Sequence, residues 1–219
     1  MMQTLVTFLV VLGGWIFSLC LHEFSHALAA YLGGDTSVRD KGYLTFNPFK
    51  YTHPVYSLLM PLIFLLLGGI GLPGGAVYIE KWRLRSRGWE SAVSLAGPAA
   101  NILLALLLAF VLRLAPVTAG GVWPGLAFLA LLQLTGAVLN LLPIPPLDGY
   151  GVLAPHLPSS VRLLADRYGN AILMIFFVAL WYLPFLSNLF WSFVFLLAGL
   201  LGIPLSLAGL GLDQFQFWR

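Results

Sequence analysis

The stretch that decides the fold is Leu5–Leu32, LVTFLVVLGGWIFSLCLHEFSHALAAYL, twenty-eight residues broken only by His22, Glu23 and His26 as ionisable groups. A membrane-spanning helix needs about 20 mostly apolar residues, and this run exceeds that length. Ionisable groups inside such a run are costly, so they mark function rather than packing. The rest of the chain agrees: 60% of its residues are hydrophobic and 9% are charged, with a mean hydropathy of +0.93. Soluble domains carry about 25% charged residues. A soluble enzyme, a disordered tail and a nucleic-acid binder are thereby excluded. The single cysteine, Cys20, excludes a disulfide framework and any multi-thiolate metal site.

Working outward, further apolar runs lie at Val55–Leu72, Ala92–Leu114, Gly125–Leu142 and Ala171–Leu210. The last is long enough for two spans, with Pro184, Ser187 and Asn188 as the turn between them. Gly42–Pro48 and Gly74–Ile79 read as short β-prone stretches near the membrane surface. The expected fold is an all-α polytopic membrane protein of about five transmembrane helices plus a re-entrant segment, with short membrane-associated β-strands. It forms a single domain over 1–219, with a core at about 5–155 and a C-terminal helical pair at 171–210.

His22-Glu23-Phe24-Ser25-His26 is a His-Glu-x-x-His pattern on an expected helix. Four-residue spacing puts both imidazoles on one face, about 6 Å apart along the axis. Their nitrogens can converge on one tetrahedral Zn²⁺, with Glu23 beside them to take a proton from water. Two histidines leave zinc short of its usual three protein ligands. Asp148 follows the run Gly125–Leu142, in Asn140-Leu-Leu-Pro-Ile-Pro-Pro-Leu-Asp148-Gly149. Its prolines break the helix and let the carboxylate turn inward; alone, the motif also fits a helix-capping aspartate.

Taken together, these two motifs resemble the site-2 protease family of intramembrane zinc metalloproteases. Gly97-Pro98-x-x-Asn101, Gly74-Gly75 and Leu44-Thr45-Phe46-Asn47-Pro48 add to the resemblance, which covers about residues 15–155 and matches a minimal member without PDZ or CBS domains. It implies one zinc held by His22, His26 and Asp148, Glu23 as general base, and hydrolysis of a peptide bond in or near a transmembrane segment of a protein substrate. Asn140 could stabilise an oxyanion or hydrogen-bond a neighbouring helix, and Asn101 carries the same pair of readings. Cys20 reads as packing, His53 and His156 as loop residues, and Lys81, Arg83, Arg85 and Arg87 as a cytoplasmic anchor. The rival reading is a zinc carrier or an inactive binder of membrane segments, which needs no general base.

A shared metal requires His22, His26 and Asp148 at similar depth. A full crossing by Val55–Leu72 opposes this, and its Pro61, Gly68, Gly69 and Gly71 suit a broken, re-entrant path. With re-entrance and two C-terminal spans, ten basic residues share one side and Arg113 lies opposite. The positive-inside rule names that side cytoplasmic. The expectation is a prokaryotic cytoplasmic membrane, the N-terminus outside, the C-terminus inside, and the active site opening toward the cytoplasm. The lipid bilayer and a transmembrane protein substrate are the expected partners, with no nucleic acid.

Overall fold

A computed structural model of the chain describes residues 2–51, 77–116 and 120–218. Helix α1 spans Met2–Gly33, and a short α2 spans Ser37–Asp40. Then follow α3 (Arg87–Leu112), α4 (Trp123–Asn140), α5 (Asp148–Leu153), α6 (Ser159–Tyr182), α7 (Pro184–Leu201) and α8 (Leu205–Phe215). Five of these, α1, α3, α4, α6 and α7, are long and apolar enough to cross a membrane. Local chemistry sets the ends. The Ser86 hydroxyl caps α3 by accepting from Trp89 N–H. Pro124 occupies the first turn of α4, where a missing N–H costs nothing.

Small residues let α1, α3 and α4 approach closely, as membrane helices require. Gly125 packs against Thr7 and Val10, and Gly14 sits directly under Leu129. Ala105, Ala109, Ala127 and Ala130 are buried in the same core with Val11, Trp15 and Phe128. Thr7 opposite Gly125 and Ser18 bonded to Gln133 make α1 and α4 parallel. Contacts of His26 with Val93 and of His22 with Asn101 make α3 antiparallel to α1.

Three expectations change, and one falls outside the described residues. First, no strand forms among the described residues. Residues 43–47 lead into a 3-10 turn at Pro48–Lys50 capped by Asn47, whose Oδ1 accepts from Phe49 N–H at 3.0 Å. Val77–Glu80 keeps a strand-like alternation, Val77 and Ile79 half-buried and Tyr78 65% exposed. It has no neighbouring strand among the described residues: Val77 and Glu80 spend their N–H groups on the side chains of Glu23 and Asp35.

Second, Val55–Leu72, expected to re-enter, lies outside the described residues, as do Gly74-Gly75 and His53. Its flanks are tied to one end of the bundle. Tyr51 OH reaches the Cys20 carbonyl, Val77 reaches Glu23, and Lys41 pairs with Glu80 at 2.9 Å.

Third, the C-terminal pair turns at Leu183–Pro184, where Pro184 was expected to mark it, but Ser187 and Asn188 lie inside α7. Leu186 and Phe190 pack beside Leu139 and Leu142, and Trp191 and Phe195 beside Phe128 and Leu132. Helix α7 therefore runs antiparallel to α4. Helix α6 starts after the His156–Ser91 contact, and Leu180 near its end shares a buried cluster with Leu139 and Phe190.

Fourth, and as a consequence, the C-terminal α8 sits at the opposite end, beside the start of α1. Thr7 Oγ1 donates to Gln214 Oε1 at 2.6 Å, and Phe8 stacks on Phe215 at 5.4 Å. The two chain ends share one side, contrary to the expected split.

Candidate metal centre

His22 and His26 lie one turn apart on α1, each 7% exposed, with Glu23 at 3%. Their Nε2 atoms are 3.0 Å apart. Asp148 completes the cluster: Oδ2 lies 3.2 Å from His22 Nε2 and Oδ1 lies 3.4 Å from His26 Nε2. Asp148 is the first residue of α5 and Leu147 precedes it as the cap, with no side-chain capping bond. The capping-aspartate alternative is thereby removed. The carboxylate is presented by the break after α4, where Gly149 lies against the carbonyls of Leu141 and Leu142 so closely that any β-carbon would collide.

Each imidazole is fixed from behind by α3. His26 Nδ1–H donates to the Val93 carbonyl at 2.7 Å, and His22 Nδ1–H donates to Asn101 Oδ1 at 3.2 Å. A carbonyl oxygen can only accept, so the ring proton sits on Nδ1. Both Nε2 atoms then turn lone pairs toward each other and toward a carboxylate. Three acceptors facing one another in a buried site suit a cation.

The spacing fits zinc. Ligand bonds of about 2.0–2.2 Å in a tetrahedron separate donor atoms by about 3.3–3.6 Å, close to the 3.0–3.4 Å seen here. The space is also kept open. A β-carbon on Gly97 would meet His22 Nε2 at 2.6 Å and come closer still to His26 Nε2.

Glu23 stands outside the ligand cluster. Its Oε2 accepts from Val77 N–H at 3.2 Å. Asn140, weighed for the oxyanion, is buried as the last residue of α4. The asparagine that touches a histidine is Asn101. Its signal was the four-residue step from Gly97, which puts the void and the amide on one face of α3. Cys20 is buried in a packing cluster with Ala27, Ala30 and Tyr51. His156 meets the Ser91 hydroxyl at 3.2 Å, away from the metal cluster.

Comparison with known proteins decides the family. The chain is 47% identical over 215 residues to "Putative zinc metalloprotease Rip2" of Mycolicibacterium smegmatis, covering 96% of this chain and 81% of that protein. The protein of the same name from Mycobacterium tuberculosis matches at 47% with the same coverage. The chain belongs to the site-2 protease family. A more distant member, "Putative zinc metalloprotease YwhC" of Bacillus subtilis, is 32% identical over 178 residues, 74% of this chain and 77% of its own length. No family model and no solved structure matches. Membership makes this a multi-pass membrane protein of a zinc metalloprotease family, and the His22, His26 and Asp148 cluster suits the metal in those names.

Proposed function

We infer that the chain is an intramembrane zinc endopeptidase that cuts a protein substrate in or beside a transmembrane segment. The observation that carries this reading is the convergence of three acceptor atoms at a buried point with a carboxylate, Glu23, next to them on the same helix. His22, His26 and Asp148 would hold the zinc. When bound, zinc supplies Lewis-acid chemistry, lowering the pKa of water toward about 7 and polarising the scissile carbonyl.

The remaining work belongs to the chain. Glu23 takes the proton from the attacking water as the C–O bond forms. It then returns that proton to the leaving nitrogen as the C–N bond breaks, giving a free acid and a free amine. Val77 N–H occupies Oε2, which leaves Oε1 for the proton. Asn140, buried at the end of α4, offers its amide to the oxyanion.

A helical substrate hides its carbonyls and must unwind before attack. The Val77 carbonyl and the Ile79 N–H have no partner among the described residues, so this segment can hold an unwound strand by edge pairing. The site opens toward the cytoplasm in this reading, because Arg39, Lys41, Lys50 and Arg83–Arg87 lie at its end of the bundle. A zinc carrier needs ligands at successive depths, whereas the described residues offer one cluster.

The test is Glu23→Gln in purified protein, assayed on transmembrane peptides with and without chelator. It should keep zinc and lose about 10²–10⁴ in rate. Wild-type protein that holds zinc but leaves every peptide intact would favour the non-cleaving reading.

A further inference from the structure

Asp35 is fully buried just beyond the end of α1, and its carboxylate is met by three donors. Oδ1 accepts from the Ser37 N–H at 3.1 Å and the Ser37 hydroxyl at 2.6 Å. Oδ2 accepts from the Glu80 N–H at 2.7 Å. That last bond reaches across 45 residues to the Val77–Glu80 segment. Lys41 grips the same segment, with Nζ 3.3 Å from the Tyr78 carbonyl, 2.9 Å from Glu80 Oε1 and 3.0 Å from the Ser37 hydroxyl. Arg83 closes the corner on Glu80 Oε2 at 2.6 Å. Hydrogen bonds from Lys41 and Arg83 hold the Glu80 carboxyl down at about 2. A lowered acid keeps its partners above the ordinary carboxylate range and loses them as pH falls toward that value, so the pair persists at neutral pH.

Three residues before Glu80, Val77 N–H donates to Glu23. Even-numbered and odd-numbered backbone groups of an alternating segment point to opposite sides. Here Tyr78 and Glu80 face the Asp35 and Lys41 side, while Val77 faces the base. Ion pairs at the surface contribute little and are screened, so the buried end of this clasp, Asp35, must set its geometry.

We propose that Asp35 is a positioning residue for the reaction: by anchoring the Glu80 backbone it holds Val77 N–H on the Glu23 carboxylate and fixes that carboxylate's orientation. This rests on the hydrolytic reading above. A carboxylate suits the place because it is acceptor-only and meets only donors. An amide of the same size would turn an N–H against one of them.

The experiment uses full-length protein in detergent with two independent readouts. Hydrogen exchange of peptides covering 77–80 reports the anchor without requiring activity. Separate kcat and KM values on a transmembrane peptide, with zinc content measured alongside, report the consequence. Asp35→Asn should speed exchange at Val77 and Glu80 on the order of tenfold or more. It should also lower kcat on the order of 10–100-fold, leave KM within about threefold, and leave zinc unchanged. Ser37→Ala removes a donor to Asp35 but not the Glu80 bond, and should leave the exchange at 77–80 near wild type. If Asp35→Asn does not fold, Glu80→Pro deletes the same N–H from the other side, since φ at Glu80 is −85°, near what proline takes. It should show the same faster exchange at Val77 and the same fall in kcat. Unchanged exchange, unchanged kcat with faster exchange, or zinc lost in step with activity would each overturn the proposal. Zinc-loaded wild-type protein that cuts nothing would instead defeat the hydrolytic reading, and the exchange readout would then decide the anchor alone.

Discussion

Substituting Gly97 by alanine tests the metal centre without touching a ligand. The added β-carbon would lie 2.6 Å from His22 Nε2, 2.7 Å from His22 Cε1 and closer to His26 Nε2. Ordinary contact begins at 3.4 Å, so an imidazole must retreat by about 0.8 Å. Zinc sites tolerate ligand distances within about ±0.2 Å, a quarter of that displacement. Disturbing an outer-shell partner of a metal ligand typically costs 10–100-fold in affinity. Direct displacement of two ligands should cost at least about 100-fold. The backbone effect has the opposite sign, because alanine in a helix interior is favoured over glycine by about 0.8–1.0 kcal/mol. The assay is zinc occupancy against buffered free zinc, paired with thermal unfolding with and without chelator. Gly97→Ala should lose most zinc-dependent stabilisation while its apo unfolding temperature stays level or rises. Wild-type zinc affinity in this variant would refute the placement of the ion between the two Nε2 atoms.

The other predictions follow from neighbouring contacts. Asn101→Ala should release His22 Nδ1 and weaken zinc binding on the order of 10–100-fold, read by competition with a chromophoric chelator, while Asn140→Ala should leave zinc affinity unchanged. Single cysteines at Asn47 and Ser86, on a Cys20-replaced background, should react with an impermeant thiol reagent from the same side, and one at Gln214 from the opposite side. Labelling of Asn47 and Ser86 from opposite sides would contradict the Lys41–Glu80 pairing.

Much of this was legible because membrane burial leaves few readings for polar residues. In a run as apolar as Leu5–Leu32, His22, Glu23 and His26 had no bland role, and the Pro-rich break before Asp148 announced an inward turn. The helices α1, α3 and α4 follow the apolar runs for the same reason. Hydropathy reports length but not packing. It gave Ala171–Leu210 two spans, yet the antiparallel seat of α7 on α4 is fixed by Phe190 and Val194 filling a space beside Leu139. Helix α8 escaped notice because Gly209, Gly211 and Asp213 interrupt its apolar pattern. Gly211 is there to lie against the Pro124 carbonyl, a tertiary requirement with no local trace. The expected strands failed on the same count. A β-prone stretch needs a partner ladder, and the N–H groups of Val77 and Glu80 are taken by carboxylates instead.

The role of α3 is the deepest part of the design, although it contributes no ligand. Helices α1 and α3 run antiparallel, so His26 pairs with Val93 and His22 with Asn101, while Gly97 falls between. Positions 93, 97 and 101 are successive i, i+4 steps on one face, matching the i, i+4 step of the histidines. The face thus reads acceptor, void, acceptor against two donors. Pro98 belongs to this arrangement: it cannot donate to the carbonyl of Ser94, which loosens that turn, next to the Val93 carbonyl that takes the His26 proton. His-Glu-x-x-His alone sets two rings on one side of a helix. Opposing acceptors on α3 turn both lone pairs inward, and a missing β-carbon leaves the volume into which they point. A helix carrying the same pentapeptide against an ordinary apolar neighbour would have its rings free to rotate and no space for an ion. That is why the glycine and asparagine of the third apolar run belong to the candidate metal site as much as the histidines do.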